Sequence, residues 1–311
     1  MKKISVLCLA AVLAMPSMSW SMQEGMGLTG TFFTNVAEAS QKVVNPTPVV
    51  KKLAVGEVGI YDFGKVKLHA YKTNDVLGDE CYLLENEHSI VLLESAAFKD
   101  AVKEWNLYAK SLNKPIAGAL FAYHPNGYEE YGNINVYATQ NALQNWQTGG
   151  SIRGLTDNFV KGFGDKIETD LPASAMPIKE GTSIELGGMK FNVLAAGDAA
   201  YSVEIPQINA VYRHMMGSKY HNILVSKENI DAEIATMKQY QAKKYTLVLT
   251  GHYVPEGQAG VADKLAYLEK IKDLAQESSS KEEFITAAKK AFPAYSGENY
   301  LEMTAGFLFK Q

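Results

Sequence analysis

The chain has 311 residues, 47% hydrophobic and 21% charged, the usage of a globular protein large enough to bury a core without disulfide staples. Ten prolines and 25 glycines without long single-residue runs exclude a wholly disordered or collagen-like chain. Thirty basic against 34 acidic residues give a formal charge of −4, and no basic cluster offers a phosphate footprint, so nucleic acid is not an expected partner.

Lys2 and Lys3 open the chain, Ile4 to Met15 is an apolar run broken by Pro16, and Ser19-Trp20-Ser21 places small residues at the −3 and −1 positions of a cleavage site. That run is shorter than the ~20 residues a membrane helix needs. The pattern predicts a cleavable signal over residues 1–21, a periplasmic or secreted protein, and no stable membrane insertion after cleavage. Of the two cysteines, Cys8 departs with the signal, leaving Cys81 without an internal disulfide partner and read as a buried structural thiol.

Residues 22–52, rich in small and polar types and ending at Pro46 and Pro48, read as an extended arm before one domain over 53–311. Residues 66–71 alternate like a half-buried strand. Two apolar runs, 80–85 and 89–93, flank Asn86-Glu87-His88 and predict a hairpin. Ala101, Val102, Trp105, Tyr108, Ala109 and Leu112 recur with helical spacing over 98–112. A buried strand follows at 116–123, then a short helix over 139–146 with Thr139 as its cap. Residues 147–181, broken by Gly149-Gly150, Gly162, Gly164, Pro172 and Pro177, read as a mobile flap. Strands are expected at 183–186, 190–195, 210–212 and 245–250, a helix at 227–241, and two or three closing helices with breaks near 278–280 and Pro293. Hairpins followed by alternating strands and helices, in both halves, predict two sheets packed face to face with helices outside, an α/β protein built as an αββα sandwich.

No Gly-rich phosphate loop, nucleophile elbow or H-E-x-x-H motif is present. The six histidines are more telling. His124 follows one predicted strand, His214 another with His221 seven residues on, and His252 closes Thr250-Gly251-His252 after a third. Strand ends are where a rigid scaffold presents functional groups, and imidazole is the commonest metal ligand. His69 and His88 carry only surface readings. Tyr123, Tyr128, Tyr131 and Tyr201 fall around the same loops and read as packing residues, Glu129-Glu130 as a helix start, and Met215-Met216 as packing in preference to a copper site.

The order of these segments resembles the metallo-β-lactamase superfamily over roughly residues 65 to 255. The hairpin Cys81-Tyr82-Leu83-Leu84-Glu85 and Ser89-Ile90-Val91-Leu92-Leu93-Glu94 is similar to the family's early strands, and the tail from Ala291 through Leu301 and Phe307 is similar to that of some secreted members. The family's H-x-H-x-D-H motif, which binds two metals, falls on Ala122-Tyr123-His124-Pro125-Asn126-Gly127, so that only His124 matches. Gly197-Asp198 stands where the family has Gly-His, His214 where it has a bridging aspartate, and His252 on its final histidine. With Ala122, Asn126 and Gly127 in place of ligands, the resemblance does not imply the standard dinuclear site.

It implies a four-layer sandwich with extra C-terminal helices and a rewritten mononuclear zinc site in which His124, Asp198, His214 and His252 are the ligands, with His221 outside the main ligand positions. Asn126 or Tyr123 would polarise a small ester, lactone or amide during hydrolysis. The competing reading is an inactive member without metal that binds a small molecule or a partner protein under the flap. Substrate identity and oligomeric state stay open.

Overall fold

The computed structural model describes residues 47–197 and 199–309; the expected signal over 1–21, the arm as far as residue 46 and the expected ligand Asp198 lie outside these described residues. Two sheets organise them. The first has eight strands in sequential order: β1 (Val49–Lys52), β2 (Gly56–Asp62), β3 (Lys67–Thr73), β4 (Glu80–Glu85), β5 (Ile90–Leu93), β6 (Ile116–Leu120), β7 (Val136–Ala138) and β8 (Met176–Pro177). Pairing is antiparallel from β1 to β5 and parallel from β5 to β8. The second holds β9 (Ser183–Leu186), β10 (Met189–Ala195), β11 (Tyr201–Ile205), β12 (Ala210–Tyr212) and β13 (Leu247–Leu249), ordered β13-β12-β11-β10-β9, with only β12 and β13 parallel.

The predicted hairpin is β4–β5, and its turn is closed by the Asn86 side chain, whose Oδ1 accepts from His88 N and Ser89 N at 2.9 Å each. Register then sorts side chains onto faces. Ala70 pairs with Tyr82 on the face toward the second sheet, where Tyr82 meets Tyr212 edge-on at 6.1 Å. Tyr71 pairs with Cys81 on the opposite face, under helix α1 (Lys99–Ser111). There Trp105 stacks between Tyr71 and Tyr108 with centroids 5.1 and 5.3 Å away. Cys81 is fully buried, as expected.

The second sheet is likewise two-faced. Ala210, Tyr212, Leu247 and Leu249 join the core between the sheets, whereas Val211 and Val248 enter an outer core. That outer core is filled by α4 (Lys227–Lys243), α5 (Gln258–Glu277), α6 (Lys281–Ala291) and α7 (Glu298–Leu308). Helix, sheet, sheet and helix therefore stack as four layers. Among the described residues no helix is long and apolar enough to cross a membrane.

Several expectations are corrected. Val49–Lys52, assigned to the arm, pair with β2 as an edge strand, because backbone pairing needs no apolar pattern. The segment read as a mobile flap contains α3 (Ser151–Phe163), packed on α2 (Gln140–Trp146), and strand β8; Gly150 and Gly164 cap the helix and do not interrupt it. The Thr139 cap of α2 is present, its Oγ1 accepting from Ala142 N. His69 is buried, bonded to Tyr108 OH at 2.7 Å and to Glu85 at 2.9 Å, so its surface reading fails: the β3 alternation that turns it from the inter-sheet core turns it into the α1 interface. Strands β2, β7 and β11 were not among the predicted runs.

Candidate metal centre

Three loops carry the site. His124 follows β6, His214 follows β12 and His252 follows β13, and the parallel pairings β5–β6 and β12–β13 put these strand ends on one rim of the sandwich. Ring centroids lie 4.8 Å apart for His124–His214, 4.9 Å for His214–His252 and 5.1 Å for His124–His252. Their ligand atoms all lie within 4.8 Å of one another. Residues 38 to 128 positions apart in sequence thus converge, and the fold brings together three of the four expected ligands.

Each loop is held by interactions of its own. Glu94, after β5, adopts a left-handed backbone (φ 64°), and its buried carboxylate accepts the N–H groups of Ala122, Tyr123 and His124, the last at 2.7 Å. A charged acceptor on three successive amides fixes the path of the chain that presents His124. The Thr250-Gly251-His252 turn is fastened by Tyr82, whose OH donates to Thr250 O at 2.7 Å and accepts from Thr250 N at 2.9 Å. Glu80 N donates to Gly251 O, and Gly251 N to His214 O, tying the second sheet's rim to the start of β4. Gly251 is needed for space: a Cβ there would lie 2.2 Å from His214 Nδ1.

Tyr123 stacks on His214 with centroids 4.1 Å apart and planes 9° from parallel. His214 Nδ1 faces Tyr212 OH at 3.3 Å, which leaves Nε2 as the nitrogen for a ligand. His124 Nδ1 is buried without a hydrogen-bond partner among the described residues. A buried ring nitrogen without a hydrogen-bond partner, beside two other imidazoles, fits a borderline divalent cation.

The electrostatics agree. Burial pushes all three imidazoles down, His214 well below its usual range with help from its two neighbours, and His252 to about 4. Near neutral pH the rings are uncharged, the form that ligates.

The structure adds a residue that the sequence reading missed. Asp79 immediately precedes β4, and because β4 runs antiparallel to β5 its first residues lie beside the ends of β5 and β6. Its Oδ2 accepts from Ala97 N at 2.8 Å. Its Oδ1 lies 3.5 Å from His252 Nδ1 and 3.9 Å from His124 Nδ1. Burial raises this carboxyl to about 6, against the opposing pull of His252 and the Ala97 amide. Nothing in the local pattern of a polar residue ahead of a strand marks it; only the strand pairing does.

Other expected participants fall elsewhere. Asn126 is buried, and its Nδ2 donates to Thr156 Oγ1 and to Glu168 O, so its amide hydrogens tie the loop to the segment after α3 and are not available to polarise a substrate. Ala122 and Gly127 bring no donor atoms, and Val102 and Glu168 crowd the space a Gly127 side chain would need. His221 is remote from the centre, its Nδ1 meeting Tyr267 OH at 3.2 Å. Met216 packs in the outer core.

No family model matches the sequence, and no curated protein matches it either. Solved structures do. A metallo-β-lactamase family protein from Thermus thermophilus superposes with a TM-score of 0.55 at 13% identity, over 78% of this chain and 91% of that one. A β-lactamase domain protein from Burkholderia ambifaria gives 0.57 at 12% identity, over 85% and 90%. A double mutant of a sec-alkyl sulfatase gives 0.53 at 14%, over 81% of this chain but 49% of its own length. Four layers with histidine-bearing loops on one rim define the class as an αββα sandwich. The fold is that of the metallo-β-lactamases.

Proposed function

We propose that this protein is an exported metal-dependent hydrolase of small ester, lactone or amide substrates, working through a single ion. The observation that supports it is the convergence of three imidazoles, one with a buried Nδ1 that has no hydrogen-bond partner among the described residues, on the rim of a metallo-β-lactamase fold. His124, His214 and His252 would hold the ion, and zinc suits nitrogen donors of this kind. A zinc ion bound there supplies an activated water and polarises the scissile carbonyl. The chain's own residues do the rest. Glu94 fixes the loop that presents His124, Tyr123 holds the His214 ring from its face, and Tyr82 anchors the turn that presents His252.

The test is metal analysis of the mature chain together with hydrolysis of a panel of chromogenic esters, lactones and amides. About one zinc per chain, with turnover lost on chelation and in His252→Ala, is expected. The loss of donors at Ala122, Asn126 and Gly127 favours a second reading, a metal-free binding protein. Protein without metal, unmoved in melting temperature by added zinc but stabilised by small ligands, would establish that reading and refute the hydrolase.

A further inference from the structure

We propose that Asp79 is the fourth donor of this centre, its Oδ1 completing a three-histidine, one-carboxylate set with His124, His214 and His252. The inference rests on the metal-binding reading above and gives Asp79 the place that the sequence reading assigned to Asp198.

Three observations carry it. The first is aim. Oδ2 is occupied by the Ala97 amide, which orients the carboxylate so that Oδ1 faces the imidazoles, 3.5 Å from His252 Nδ1 and 3.9 Å from His124 Nδ1. Donor atoms sharing one tetrahedral zinc stand roughly 3.3 Å apart, given bonds of about 2.0–2.1 Å. Both separations approach the edge of such a tetrahedron, and both exceed a good hydrogen bond.

The second is the lack of another charge partner. Asp79 is 1% exposed, and among the described residues its ion-pair contacts are these two histidines, with no lysine or arginine. A buried carboxylate is costly without a counter-charge close by. A divalent ion supplies one, and in turn the carboxylate reduces the net charge buried with the ion from +2 to +1. The third is His124 Nδ1, buried without a hydrogen-bond partner among the described residues and 3.9 Å from Asp79 Oδ1. One cation between them satisfies both groups.

The placement follows from topology. Residues 75–79 reach the rim only because β4 enters the sheet antiparallel to β5. The turn before it is held by Asp75, whose Oδ1 accepts from Leu77 N and Gly78 N. Asp79→Asn keeps the acceptor for Ala97 N while removing the charge, so it isolates the electrostatic and donor role.

The experiment titrates Zn²⁺ and Co²⁺ into apo wild type and Asp79→Asn, reads affinity by chelator competition and coordination by the visible Co²⁺ spectrum, and determines the crystal structure of the zinc-loaded wild type. Removing a residue that only supports a ligand weakens binding about 10–100-fold. Loss of a donor should match or exceed that and change the Co²⁺ bands. In the crystal, Asp79 Oδ1 is expected within about 2.2 Å of zinc. An unchanged Co²⁺ spectrum in Asp79→Asn, or a zinc-loaded wild type in which Asp79 does not contact the ion, overturns the assignment even if affinity falls. The crystal decides the question should the variant fail to fold. A wild type that binds neither metal refutes the metal-site reading itself, an outcome distinct from a wild type that binds without Asp79.

Discussion

Gly251→Ala separates the architecture of the rim from its ligands, because it alters none of the three histidines. A Cβ at this position would lie 2.2 Å from His214 Nδ1 and 2.7 Å from Cε1. Non-bonded contact requires about 3.5 Å, so the ring must retreat by more than about 1 Å. It has little room: Tyr123 stacks on it with ring centroids 4.1 Å apart, and the His124 and His252 ring centroids lie 4.8 and 4.9 Å away. Metal–ligand distances tolerate about 0.2 Å, far less than the displacement. Zinc affinity is therefore expected to fall more than tenfold, which is about 1.4 kcal/mol. Overpacking should destabilise the apo fold by about 1–3 kcal/mol. Chelator-competition titration and urea melts measure the two effects. Gly154→Ala in α3 is the control, since its Cβ meets nothing within 4 Å and alanine is the better helix former. Wild-type zinc affinity in Gly251→Ala would refute the argument that this glycine sets the position of His214.

Three further outcomes are expected. Tyr82→Phe leaves the buried N–H and C=O of Thr250 without their hydroxyl partner, so it should cost about 1–3 kcal/mol in chemical denaturation, and a neutral result would show that these two bonds do not hold the turn. Glu94→Gln removes the charge that gathers three amides and should lower metal affinity about tenfold with little change in the circular dichroism spectrum, as measured by metal competition. Burial and the Lys264 ammonium press His221 down to about 4 in the folded chain, whereas the unfolded chain binds that proton near 6.5. Its contribution to stability is present above pH 6.5 and is lost as pH falls toward 4, with a slope of up to ~1.4 kcal/mol per pH unit. His221→Gln should flatten that part of the pH–stability curve relative to wild type, and parallel curves would refute the assignment.

Much of the scaffold was legible because its signals are local. The β4–β5 hairpin showed in two apolar runs around Asn86, α1 in the spacing of Ala101, Val102, Trp105, Tyr108 and Ala109, and α2 in the Thr139 cap. What escaped reading were elements whose identity lies in their neighbours. Val49–Lys52 have no buried face, and β8 is two residues long; each is a strand only because another backbone pairs with it. The 147–181 segment misled because glycine at a helix boundary and glycine in a loop look alike until the helix between them is packed.

The centre divides the same way. Strand periodicity put His124, His214 and His252 at strand ends, since it is a property of short segments, and the resemblance of the segment order to the metallo-β-lactamases suggested their grouping. Tertiary structure alone showed that their rings meet, that the Asn126 amide is engaged, and that Asp79 stands beside two of them. Those facts depend on which strands pair and in what direction, and distances of a few ångströms between residues far apart in sequence are set by the packed sheets.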